Sequence, residues 1–191
     1  MPAWRCTARL THRTHYEASC VLYQLKQGNI PSHITWEIFP EHIEILDMFI
    51  RQGMNPVEIS ETQKIISKRG TPMSADMIRT WIHKYLPDMQ YLENTSQRYK
   101  KNKPIPYTKF LTSESNYEAD TILYRILQGD IPNHITWEIL PEHIEILKMF
   151  LIDGLNSHAI ERTGKILSKR KKPMSNDMIN IWIKRYFPDL D

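Results

Sequence analysis

The chain is one unit written twice. Adding 101 to a residue number in the first half gives its counterpart in the second, as with Tyr16 and Tyr117, Trp36 and Trp137, or Trp81 and Trp182. Residues 7–89 align with 108–190 without a gap and are identical at 47 of 83 positions. Self-similarity on this scale predicts one fold made twice, each copy closing its own modest core. The expected organisation is a first repeat with a basic N-terminal arm at 1–89, a linker at 90–107 and a second repeat at 108–191. The linker, QYLENTSQRYKKNKPIPY, is polar and carries Arg98, Lys100, Lys101 and Lys103, with two prolines that bar a continuous helix. Fully extended it spans at most about 60 Å, more than the roughly 34 Å of one DNA helical turn.

Composition places few limits beyond this. A hydrophobic fraction of 41% with 25% charged residues is ordinary for a globular chain. No run of 18 or more apolar residues exists, so no membrane span is expected. The N-terminus, MPAWRCTARLTHRTH, lacks the apolar stretch of a secretory signal, which makes an intracellular location the expectation. Cys6 and Cys20 are the only cysteines, too few for a disulfide framework. Cys6, His12, His15 and Cys20 do form an array able in principle to wrap zinc. Tyr107, Ser113, Asn116 and Thr121 stand at the matching places of the second repeat, so a metal is not a requirement of the unit, and no cofactor is expected.

Periodicity predicts an all-α unit with no sheet. Thr11 suits an N-cap, and Tyr16, Cys20, Tyr23 and Leu25 give a helical stripe ending at Gly28. IPSHITWEIFP reads as an extended connector or a short turn. Pro40 opens a second helix, in which Ile43, Leu46, Phe49 and Ile50 share a face up to Gly53. Asn55 caps and Pro56 starts a third, with Ile59, Ile65 and Ile66 inward and its end at residues 67–70. After a short TPM break, Ser74 caps a fourth, ADMIRTWIHKY, with Met77, Ile78, Trp81, Ile82 and Tyr85 on its inner face.

The last two helices have the parts of a helix-turn-helix, in which one helix braces another against the major groove. Every inner-face residue of the fourth helix recurs, as Met178, Ile179, Trp182, Ile183 and Tyr186. The outer face changes: Ala75, Arg79, Thr80, His83 and Lys84 become Asn176, Asn180, Ile181, Lys184 and Arg185. Two modules reading different base sequences would show this contrast; so would surface drift. Arg79 suits guanine, Asn176 and Asn180 suit adenine, and Ile181 suits a thymine methyl. Lys84, Lys184 and Arg185 suit phosphate, as do the helix starts at Ser74 and Ser175. The linker cations, with Arg5 and Arg9, can track a minor groove or simply be solvated. The net charge of +3 permits such a partner without requiring it. Lys165, Lys169, Arg170, Lys171 and Lys172 form a further basic run.

The segment FPEHIEILDMFIRQGMNPVEISETQKIISKRGTPMSADMIRTWIHKYLPDM, with its counterpart at 140–190, resembles the N-terminal helix-turn-helix of prokaryotic DDE-class insertion-sequence transposases. The matching positions include Pro40, Gly53, Arg69, Gly70, Ser74, Ile78, Trp81, Lys84, Tyr85 and Pro87, and Lys171 departs from the turn glycine in the second repeat. The resemblance implies two tandem homologous helix-turn-helix (homeodomain-like) domains and double-stranded DNA as partner, with a DNA-associated place in cytoplasm or nucleoid. The two repeats and linker leave no room for the carboxylate-bearing catalytic domain, so a free-standing DNA-binding role is expected rather than transposition. A homodimer is the other partner left open.

Two competing readings have their own residues. Glu37, Glu41, His42 and Glu44, recurring as Glu138, Glu142, His143 and Glu145, offer the only carboxylate and histidine set for an enzyme. A protein–protein adaptor would use the ITWEI-x-PEHIEIL stretch, which differs between repeats only at Phe39 and Leu140.

Overall fold

The computed structural model describes residues 10–88 and 111–190. The chain divides into two compact units, Met1–Arg98 and Tyr99–Asp191, and the division falls within the expected linker. Among the described residues the secondary structure is helical, with four helices in each unit and no strand. The first unit contains α1 (His12–Lys26), α2 (Pro40–Ile50), α3 (Pro56–Glu61) and α4 (Ala75–Tyr85). The second repeats the order as α5 (Ser113–Leu127), α6 (Pro141–Leu151), α7 (Ser157–Thr163) and α8 (Asn176–Tyr186).

Helix starts follow the sequence closely, because each start has a side chain to satisfy its free N–H groups. Thr11 caps α1 through the Thr14 N–H. Pro40 opens α2. Asn55 Oδ1 accepts from both Val57 and Glu58 N–H at 2.9 and 3.0 Å, while Glu58 returns to the Asn55 N–H at 2.9 Å. Ser74 caps α4 and Ser175 caps α8.

Helix α2 is the centre of its unit and packs against α1, α3 and α4. It buries His42, Ile45, Leu46, Met48, Phe49 and Ile50. Against it α4 lays Ile78, Ile82 and Tyr85, all fully buried at spacings of one and two turns. Each such side chain contributes roughly 1.5–3 kcal/mol by leaving water. The connector between α1 and α2 is extended with one turn, not helical. It is tied to the far end of the unit by His33, whose Nε2–H donates to the Tyr85 carbonyl at 3.0 Å, as His134 does to Tyr186.

Three expectations need correction. The buried face of α1 is His15, Ala18, Ser19, Leu22 and Leu25, one residue away from the stripe through Tyr16, Cys20 and Tyr23. The apolar pattern misleads because two polar residues are buried as a satisfied pair: Ser19 donates to His15 Nδ1 at 3.2 Å, and His15 Nε2 donates to the Ile50 carbonyl at 3.2 Å. Met77 and its counterpart Met178 are not inner-face residues; both are 45% exposed. The third helix stops at Glu61, not at residues 67–70, and the connection to α4 is no short break.

That connection, residues 62–74, forms a small hairpin. Thr62 ends the helix by donating its hydroxyl to the Ile59 carbonyl at 2.7 Å, and Gln63 turns into the left-handed region (φ +54°). Ile65 is then buried and Ile66 exposed, a period of two that no helix supports. An antiparallel bridge joins Ile66 to Pro72, with Ser67 N–H on the Thr71 carbonyl and Met73 N–H on the Ile65 carbonyl, both at 2.8 Å. Gly70 N–H closes the tip on the Ser67 carbonyl at 2.9 Å, and Gly70 itself has φ +74°. A tight turn followed by a left-handed residue is a common three-residue hairpin loop. Lys171 holds the same place in the second unit at φ +57°, so the loss of glycine leaves the turn intact.

Candidate nucleic-acid interface

The expected reading face is the exposed side of α4 and α8. Arg79, Thr80, His83 and Lys84 are exposed on the first, and Asn180, Ile181, Lys184 and Arg185 on the second. Ala75 and Asn176 sit at the first helical position and are half-buried, so they stand apart from that row. Ser74 and Ser175 face solvent, with their hydroxyls engaged as caps by the N–H groups of Met77 and Met178. Arg98, Lys100, Lys101 and Lys103 lie outside the described residues, as do Arg5 and Arg9.

Several of these side chains are held rather than free. Arg79 Nη1 donates to Asp76 Oδ1 at 2.7 Å, one turn back, and the Thr80 hydroxyl donates to the Asp76 carbonyl at 2.8 Å. Asp76 recurs as Asp177 at the helix start, where a carboxylate favours the helix dipole but opposes an approaching phosphate. Lys84 Nζ lies 4.6 Å over the Trp81 ring and 5.9 Å from Trp36. In the second unit the Arg185 guanidinium lies 5.0 Å over Trp182. Cations seated on tryptophan keep their charge at the surface while their stems cover apolar area.

Beneath this face lies an aromatic cluster that the sequence reading did not assemble. Trp81 stacks on His42 with ring centroids 3.7 Å apart, and Trp36 meets Tyr85 edge-on at 5.3 Å. The Tyr85 hydroxyl donates to His42 Nδ1 at 2.9 Å, and the Phe39 N–H reaches the same nitrogen at 3.5 Å. His143, Trp182, Trp137 and Tyr186 repeat the arrangement, with the hydroxyl at 3.0 Å. With two donors on Nδ1 the imidazole is neutral. Burial pushes the His42 pKa below its usual value, with Lys68 and Lys84 adding to the effect and Glu41 opposing it. Burial does the same to His143, helped by Lys169 and Arg185 and opposed by Glu142. Burial also pushes both tyrosines upward, so their hydroxyls stay neutral donors. The signal for this cluster was present in the coincidence of Trp36, His42, Trp81 and Tyr85 in both repeats.

The other candidate sets come apart on this geometry. His42 is committed to Tyr85, while Glu37 and Glu44 lie exposed, so no carboxylate holds the imidazole as an acid–base pair. His15 has both ring nitrogens engaged within the protein, and Cys6 lies outside the described residues. No group of three or more metal-ligating side chains is brought together among the described residues. No described helix is long and apolar enough to cross a membrane.

No family model matches the chain, and no curated protein or solved structure matches it either.

Proposed function

We propose that the chain is a sequence-specific, non-catalytic binder of double-stranded DNA, with two tandem helix-turn-helix-type modules that each present the last helix to the major groove. The observation that carries this reading is the contrast between the two sides of α4 and α8. Their buried side is the same in both units: Ile78, Ile82 and Tyr85 against Ile179, Ile183 and Tyr186. Their exposed side is rewritten from Arg79 and Thr80 to Asn180 and Ile181, residue types that favour different base edges. Such a protein acts where DNA is, as a regulator or as a factor of mobile or repeated DNA. The hairpin between α3 and α4 makes each module a departure from the three- to four-residue turn usual in helix-turn-helix proteins.

The adaptor reading rested on the sameness of residues 34–46 and 135–147, and that sameness has an internal reason. Ile34, His42, Ile45 and Leu46 are buried, and Trp36 packs on Tyr85. What the adaptor reading keeps is the recurrence of Glu37 and Glu44 at the surface.

Selection of bound duplexes from a random library with the full chain, near physiological salt, tests the proposal. The direct-repeat order predicts an asymmetric site with two unlike halves, and binding that weakens steeply with salt. Absence of both enrichment and salt-sensitive binding would refute it.

A further inference from the structure

Positive charge in this protein is concentrated in an element that the reading helices do not include. Residues 62–75 contain Lys64, Lys68 and Arg69, and residues 163–176 contain Lys165, Lys169, Arg170, Lys171 and Lys172, with no Asp or Glu in either stretch. The two hairpins therefore hold eight of the 25 basic residues, and the rest of the chain has 17 basic residues against 22 acidic ones. A chain of net charge +3 thus owes its positive sign to these two loops. All eight cations are exposed, and none is in an ion pair among the described residues.

The loops are also built to hold their shape. Buried Ile65 and Met73 anchor the base of the first, the Ser60 hydroxyl donates to the Met73 carbonyl at 3.0 Å, and Lys68 and Arg69 occupy the two central positions of the tip turn. The second has the same bridge, between Leu167 and Pro173, and the same tip bond, Lys171 N–H on the Ser168 carbonyl at 2.8 Å. Between the units the hairpin keeps Lys64, Ser67, Lys68 and Arg69 as Lys165, Ser168, Lys169 and Arg170, while the outer face of the neighbouring helix changes. An element that reads sequence has reason to differ between modules; one that grips the uniform part of DNA does not.

We propose that each hairpin is a sequence-independent clamp on the phosphate backbone of duplex DNA, with Lys68 and Arg69 in the first unit and Lys169 and Arg170 in the second as its contacts. This rests on the DNA-binding reading and divides the work within it: the hairpin supplies affinity and placement, and the exposed face of α4 or α8 supplies choice.

The test uses the full chain, a Lys68→Gln/Arg69→Gln variant and the Lys169→Gln/Arg170→Gln counterpart. Anisotropy titrations cover the selected duplex, a scrambled duplex and vesicles of anionic lipid across a range of salt. Loss of two phosphate contacts should lower the slope of log affinity against log salt by about 1.8, so the affinity lost between about 50 and 200 mM salt shrinks by roughly twelvefold. The weakening should be equal on both duplexes, and the selected sequence should not change. Circular dichroism should match the parent, since the altered side chains lie at exposed tips. An unchanged salt slope, or a loss confined to the selected duplex, overturns the clamp and leaves DNA binding standing. Vesicle binding that exceeds duplex binding and falls in the variants would assign the hairpins to a membrane surface and overturn the clamp. A parent chain that binds neither duplex overturns both proposals together.

Discussion

Replacing Tyr85 by Phe removes one oxygen atom from the interior of the first unit and leaves the apolar packing of the ring in place. Tyr85 is 0% exposed, and its hydroxyl is the near donor to His42 Nδ1, at 2.9 Å. The Phe39 N–H at 3.5 Å is the remaining donor, at the outer limit of a useful hydrogen bond. The net worth of the lost bond is about 1 kcal/mol, and leaving the buried nitrogen half-satisfied adds a part of the roughly 1–3 kcal/mol that an orphaned group costs. Removing the hydroxyl's own desolvation offsets some of this, for an expected loss of about 1–2 kcal/mol. Tyr186→Phe supplies an internal comparison. There the hydroxyl is at 3.0 Å and the backbone donor, Leu140 N–H, is closer at 3.3 Å, so the second unit should lose less. Hydrogen exchange resolved over α2, α4, α6 and α8 in the intact chain follows both units at once. A loss below about 0.5 kcal/mol for Tyr85→Phe, or a larger loss for Tyr186→Phe, would refute the reasoning.

Acid should destabilise both units through His42 and His143. Their folded pKa values are lowered, so the unfolded chain takes up the proton first. Stability is fully present above about pH 6.5 and is lost as pH falls from there through the folded value. Thermal melts between about pH 7.5 and 5 should show a falling midpoint, and a flat profile would count against the buried neutral pair. Each unit also has one non-glycine residue in the left-handed region, Gln63 in the first and Lys171 in the second, opposite Gly164 and Gly70. Gln63→Gly and Lys171→Gly should each raise the stability of their own unit by about 0.5–1 kcal/mol in urea titrations, the strain relieved exceeding the added freedom of the unfolded chain. Asp76→Asn should strengthen duplex binding by freeing Arg79 and removing a negative charge, whereas Arg79→Ala should relax base choice in one half-site at a cost of about 1–3 kcal/mol. Binding selections on the two variants separate these effects; an unaltered preference in Arg79→Ala would remove that residue from the reading face.

The parts of this fold that were legible in the sequence are those fixed by local chemistry. Thr11, Pro40, Asn55 and Ser74 each satisfy or dispense with free N–H groups within a few residues, so helix starts follow from short motifs. The helical spacing of Ile78, Ile82 and Tyr85 likewise announced the buried side of α4. What escaped depends on distant partners. His15 and Ser19 look like surface residues until the Ile50 carbonyl, 35 positions away, is brought beside them. The end of α3 was misread because Gln63 gives no hint of a left-handed turn; only Gly164 in the second copy does. At the candidate interface, periodicity separated the exposed from the buried side of each helix, Met77 and Met178 excepted. It did not reveal the Arg79–Asp76 pair or the seat of Lys84 on Trp81, since both depend on rotamers.

The bond from His33 to the Tyr85 carbonyl bears on how small a portable module can be. The stretch that resembles a transposase reading domain begins at Phe39, yet α4 ends against a histidine that precedes it and packs Tyr85 against Trp36, which precedes it too. Helix α1 likewise covers α2 from outside that stretch. A graft trimmed to residues 39–89 would expose the aromatic cluster on one side and leave the last turn of its presenting helix without its carbonyl partner. The transplantable piece therefore starts at Thr11, and a chimera that exchanges reading specificity should swap only the exposed residues of α4 and α8, leaving every histidine and tryptophan beneath them in place.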